Sequence, residues 1–320
     1  MANPSIRVEA LIGAWEDEYL RSFVSSGGAA VKMVVGDDHD RTEFCKRVRS
    51  ASTALDYCYC HVDSAQSRFH TMGSLFSAIA LQLDWAEISR RFVLTLCKYA
   101  NYSLDPLMPL SIDYIGQQTG HDASLVAVTF QSILDERILR RVGLSNEFRR
   151  AMLGLVGGVL FPNGVPAMNA SNIKSWLTGT ISNVSQLRPS QIYRRITRNN
   201  ARNMLVSTAR WLRDCGYGGL VATVDLALYS NGGVFYIADG SKRAYSRAAV
   251  LDAYDVVRQF LDSSDELEGL FLSFTTDYSF LRDDHRGINA HQALRLRLTD
   301  EVYDSNLSNP LSPMLRLSNG

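Results

Sequence analysis

GYGGLVATVDLALYS, residues 216–230, is a glycine-rich turn that runs into five consecutive apolar or small residues, Leu220 to Val224, and stops on Asp225. A strand apolar on both faces suits the centre of a parallel sheet, covered by helices on each side. Downstream, SRAAVLDAYDVVRQFLDSS (246–264) has helical spacing, and GLFLSFTTD (269–277) repeats the pattern of an apolar strand with polar residues at its end. Upstream, VKMVV (31–35) and ALDYCYCHVD (54–63) read as two more strands, and the apolar face Leu11, Ile12, Trp15, Tyr19, Leu20 and Phe23 predicts a helix over 8–26. Strands alternating with helices predict a parallel α/β fold. The polar residues at the strands' carboxyl ends then fall where such sheets bind ligands.

Between these blocks the chain reads as helical. Helices are expected over 71–83 and 87–100, in ASLVAVTFQSILDERILRRV and NEFRRAMLGLVGGVL, and as one long helix from Pro189 to Cys215. The expected organisation is an N-terminal part of the core over 1–100, a helical insertion over 101–187, and the rest of the core over 188–320. The last part holds strands at 219–226, 269–277 and a short closing strand near 314–317.

The 320 residues are 46% hydrophobic with formal net charge zero, an ordinary globular composition, so any nucleic-acid binding has to come from a local patch. The five cysteines lack zinc-ligand spacing and read as reduced thiols. The N-terminus has no apolar signal core and no run of about 18 apolar residues occurs, which predicts a cytoplasmic chain with no membrane partner.

The stretch VKMVVGDDHDRTEFCKRV (31–48) bears on chemistry. Strand, glycine turn and helix is the build of a P-loop, whose pattern is G-x-x-x-x-G-K-[ST]. Gly36 is present, and Arg41 and Thr42 stand where the lysine and hydroxyl would, but the turn is one residue short and the second glycine is missing. Asp37, Asp38 and Asp40 fill it. At an effective dielectric of about 20, a carboxylate about 4 Å from a phosphate charge costs on the order of 4 kcal/mol. With His39 these acids lack EF-hand spacing, and no metal is assigned. Asp38 or Asp40 also suits the start of a helix electrostatically.

Several blocks together resemble the smaller ATP-binding protein of BREX-type phage-resistance systems, a P-loop ATPase family. They are YLRSFVSSGGAAVKMVVG, IYRRITRNNARNMLVSTARWLRDCGYGGLVATVD, KRAYSRAAVLDAYDVVRQFLD, GLFLSFTTDYSFLRDDHRGINAHQALRLRL and NPLSPMLRL, spread from one end of the chain to the other and together 112 of its 320 residues. The resemblance implies an AAA/ASCE-type parallel sheet flanked by helices. It implies that Asp225 holds magnesium, that Thr275 or Thr276 acts as a polar sensor, and that Arg286, beyond the 269–277 strand, serves a neighbouring ATPase as a trans arginine. Against activity, Leu226, Ala227 and Leu228 follow Asp225 where active members place a water-orienting glutamate. The sequence closes at RLSNG, just after the last core block, so the family's usual lid is expected to be missing.

The reading is a degenerate P-loop ATPase-like subunit, assembling with other subunits of an antiphage defence complex, among them an active ATPase, and needing no cofactor. One alternative is a working ATPase in which Arg41 replaces lysine and ATP and Mg²⁺ bind. The other is a DNA-binding scaffold. Arg194, Arg198 and Arg202, at i, i+4 and i+8 of the expected 189–215 helix and joined by Arg195, are the residues for a partner or for weak, non-specific DNA contact. His285 and His291 are given no role.

Overall fold

The computed structural model describes residues 5–236, 242–299 and 308–318. The chain forms two compact units, one of residues up to 79 together with those from 218 onward, the other of residues 80–217. The first unit is built on strands β1 (Ile6–Arg7), β2 (Ala29–Val35), β3 (Cys58–Val62), β4 (Leu220–Asp225), β7 (Leu270–Thr276) and β8 (Met314–Ser318), with a separate antiparallel pair, β5 (Phe235–Tyr236) and β6 (Lys242–Arg243). The six-stranded sheet is parallel throughout, in the order β1-β8-β2-β7-β4-β3. One strand, β7, separates the glycine-turn strand β2 from the acidic strand β4, in a parallel sheet consistent with a P-loop ATPase-like fold. The α/β expectation holds, because β4 and β7 are apolar on both faces and are buried almost throughout.

In chain order the helices of the first unit are α1 (Val8–Trp15), α2 (Asp38–Ala54) and α3 (Met72–Ala80), which reaches the unit boundary. The second unit holds α4 (Trp85–Tyr99), α5 (Ile112–Thr119), α6 (Ala123–Leu134), α7 (Asn146–Leu160), α8 (Val165–Leu177) and α9 (Ala201–Asp214). The chain then returns to the first unit with α10 (Ala227–Ser230), α11 (Arg247–Asp262), α12 (Ser279–Arg282) and α13 (Gln292–Leu298). The helical unit is thus wider than 101–187 and takes in α4 and α9. Among the described residues no helix is long and apolar enough to cross a membrane.

One layer of the first unit's core lies between the sheet and α1–α2. Trp15 meets Phe44 and Phe271 edge-on, at 5.5 and 5.0 Å between ring centroids, and its indole N–H donates to Pro310 O at 2.8 Å. An aromatic of this size buries about 200 Å², worth about 5 kcal/mol. After Trp15 the helix widens into a π-helix, Glu16–Phe23. The buried residues Trp15, Leu20 and Val24 are spaced by five and then four, which suits i→i+5 bonding. The wider turn carries Phe23 out of the expected apolar face to 47% exposure, where its ring covers Gly28.

Lys32 is the one charged residue within β2. It is 6% exposed; its ammonium donates to the carbonyls of Leu311 and Ser312 and lies 4.9 Å from the Tyr19 ring centroid. A buried cation with these partners ties the central strand to the segment leading into β8.

The expected single helix over 189–215 is not formed. Helix α9 starts at Ala201; Val184–Ser190 is a 3₁₀ turn, and the residues between are irregular. Gln191 turns the chain with a left-handed backbone, φ +56°. The Asn200 side chain accepts from Thr197 N–H and donates to Arg195 O, local bonds that compete with a helix. Only Arg202 of the four arginines is helical, so the i, i+4, i+8 stripe does not exist.

Candidate functional site

At the carboxyl edge of the sheet the registers align Val35 with Thr276 and Arg316, and Asp225 with Thr275. Gly36 follows β2 and donates its N–H to Thr276 O at 3.0 Å. A Cβ on Gly36 would come within 3.1 Å of Leu317 and 3.3 Å of Asp40, so glycine is retained here for close packing. Helix α2 begins two residues later, and no loop intervenes. Asp38 and Asp40 lie in its first turn, as expected from sequence, and the cap is Asp37, whose carboxylate accepts from Asp40 N–H at 2.8 Å. In a P-loop, such helix N-terminal N–H groups point at phosphate.

Arg41 is folded back across the turn. It donates to Gly36 O and to Asp38 Oδ1, both at 3.0 Å, and its Nε lies 3.7 Å from Asp225 Oδ1. Its side chain is only 12% exposed and that of Asp225 17%. Asp225 also accepts from Ser64 Oγ at 2.9 Å, from Thr275 Oγ1 at 3.3 Å and from Ala227 N–H at 3.3 Å. Burial raises the pKa of Asp225, against the opposing pull of Arg41 and the Ser64 bond. Thr42 is exposed and its hydroxyl donates to Asp38 O at 2.8 Å, within the first turn of α2.

Two clefts open over this edge. One, of about 340 Å³, lies along α2 and is lined by Arg41, Lys46, Arg49, Tyr59, His61 and Asp225 among others. The other, of about 770 Å³, is lined by six aspartates (Asp37, Asp38, Asp63, Asp225, Asp277 and Asp283) against two arginines, Arg41 and Arg282. Asp63 and Asp277 escaped the sequence reading. Each caps a turn: Asp63 accepts from Ala65 N–H at 2.7 Å, and Asp277 accepts from Ser279 N–H at 3.0 Å and from Ser230 Oγ at 3.1 Å. An aspartate just after a predicted strand was the available signal for both. Ser64 had none, since its bond to Asp225 spans 161 positions.

The sequence-stretch candidates thus divide. Gly36, Arg41, Asp225 and Thr275 come together, Thr42 lines the smaller cleft beside Arg41, Asp225 and Thr275 with its hydroxyl bonded within α2, and Thr276 pairs with Ser230 Oγ at 3.0 Å. Arg286 is turned inward: it donates to Tyr245 O at 2.9 Å, and a Cβ on Gly232 would lie 3.0 Å from its Cδ. Its own carbonyl accepts from Tyr254 Oη. In this position Arg286 braces its own chain. Arg194, Arg195 and Arg198 are exposed and belong to the helical unit, as does half-buried Arg202.

The sequence model of the family described as BREX system ATP-binding protein BrxC/D matches residues 166–319, just under half of the chain. The chain resembles the BREX ATP-binding proteins. The matched range contains β4, α11, β7 and β8, so the BREX resemblance rests on the acidic strand and the strands beside it, and not on the turn at Gly36. No curated protein matches the chain, and no solved structure does. The match supports a role in a BREX-type defence system and, with it, partner subunits.

Proposed function

We propose that the protein is a P-loop-type subunit of a BREX-type phage-defence complex whose nucleotide site is filled by its own side chains. The fold then serves in the cytoplasm as an assembly or regulatory surface. The observation that carries this is the position of Arg41, bonded to Gly36 O and Asp38 and set against Asp225. Its charge answers the aspartate that would otherwise hold magnesium, while Asp37 takes the helix N-terminus that would otherwise take phosphate. A triphosphate entering the larger cleft would meet six aspartates and two arginines. The residues do not fit Mg·ATP, and no hydrolytic step is assigned to them. Residues 80–217 are, in this reading, an insertion into the P-loop-like core.

Co-purification from cells expressing the whole native operon tests the reading. Tagged protein and its Asp225→Asn variant are expected to capture the same subunits in the same ratio. Loss of the partners from the Asp225→Asn protein would mean that assembly depends on a working nucleotide site, and would overturn the reading.

A further inference from the structure

The zero net charge of the chain conceals a segregation. Residues 80–217 contain 16 Lys and Arg against 9 Asp and Glu, so this unit carries +7 and the rest of the chain −7. Residues 148–213, a run of 66, include no acid and 10 basic residues. Much of this charge is displayed on the 3₁₀ turn and the irregular segment before α9, where Arg188, Arg194, Arg195 and Arg198 are all exposed. Arg195 donates to Ser182 O at 2.6 Å. Arg188, Arg194 and Arg198 make no ion pair among the described residues.

The segment is irregular yet firmly seated. Leu187 and Ile192 are fully buried beneath it, Trp176 donates its indole N–H to Arg194 O at 2.8 Å, and the Asn200 side chain holds Thr197 and Arg195. The left-handed turn at Gln191 precedes Tyr193, which is 68% exposed. A cleft of about 280 Å³ joins Tyr193 and Arg194 to Arg150, Gln191 and Asn146, with Glu147 as the one carboxylate on its rim. A buried tyrosine would be ordinary core. An exposed ring on a fixed backbone, flanked by arginine forks and neutral amides, offers a base-stacking platform beside phosphate donors.

We propose that the helical unit binds nucleic acid, with Arg188, Arg194, Arg195, Arg198 and Arg150 on the phosphodiester backbone and Tyr193 stacked on an unpaired base. The assignment is independent of the nucleotide site, since every residue in it belongs to residues 80–217.

Fluorescence anisotropy with a labelled 20-nucleotide DNA strand, its RNA counterpart and the matching DNA duplex, at about 50 and 200 mM salt, tests it. All three are expected to bind more weakly at the higher salt. The triple variant Arg188→Ala, Arg194→Ala, Arg198→Ala changes side chains that hold nothing in the fold, and circular dichroism checks that it folds. It should lose at least about tenfold in affinity for every probe and show a flatter salt dependence. Tyr193→Ala should weaken the single strands about tenfold and leave the duplex within about twofold. Wild-type protein that binds no probe at low salt, or a folded triple variant with wild-type affinity, would overturn the proposal. So would equal competition by poly-glutamate of matched charge, which would make the surface a seat for acidic protein. An equal effect of Tyr193→Ala on strand and duplex would remove the stacking role.

Discussion

Rebuilding Gly36–Thr42 as a full-length G-x-x-x-x-G-K-T turn is expected to bring Mg·ATP affinity from undetectable at about millimolar concentration to micromolar, a gain of about a thousandfold. The change removes the Asp37 cap and the Arg41 closure together and restores backbone N–H groups and a lysine for phosphate. Turnover should not follow. Asp225 is succeeded by Leu226, Ala227 and Leu228, and the other carboxylates that would remain over the sheet edge, Asp63, Asp277 and Asp283, are committed to capping turns. Phosphate release from the rebuilt protein should stay far below the roughly 1–10 per second of ordinary enzymes. Turnover in that range would mean that one of those three aspartates, or a residue outside the cleft, positions water after all.

Gly219→Ala is expected to cost about 3 kcal/mol or more, which lowers the melting temperature by about 6–12 °C for a unit of this size. Gly219 has φ +139° and abuts β7, so a Cβ there would lie 2.3 Å from Gly269 O. Backbone cannot move aside as a flexible side chain can, and the clash falls where β4 enters the sheet. Gly216→Ala is the matched control. It also has positive φ, +89°, but nothing lies within 4 Å of its added carbon, so it should cost only about 1 kcal/mol. Equal effects, measured by thermal and denaturant unfolding, would show that strain in the turn and not the close approach to β7 requires the glycine.

The same stretch shows what a sequence discloses. Gly219 to Asp225 could be read directly, because a turn glycine, a two-sided apolar run and a terminal acid are all local. So could α2, whose start is marked by acids. Lys32 breaks its strand's pattern, and its reason, the carbonyls of Leu311 and Ser312, lies 279 and 280 positions away. The helix expected over 189–215 failed at Gln191 and Asn200, where side-chain and backbone bonds of short range outweighed helical spacing. At the site, the shortened turn was plain, but the fold-back of Arg41 onto Asp225 and the Ser64 bond depend on three distant segments meeting. The charge segregation between residues 80–217 and the remainder was present in the sequence, and the whole-chain sum of zero hid it.

Isothermal titration of Mg·ATP into the unmodified protein bears most directly on the claim that the chain closes its own nucleotide site. With Asp37 on the helix N-terminus and Arg41 against Asp225, no saturable heat is expected up to about 1 mM nucleotide. A micromolar dissociation constant, lost in the Asp225→Asn variant, would contradict the account.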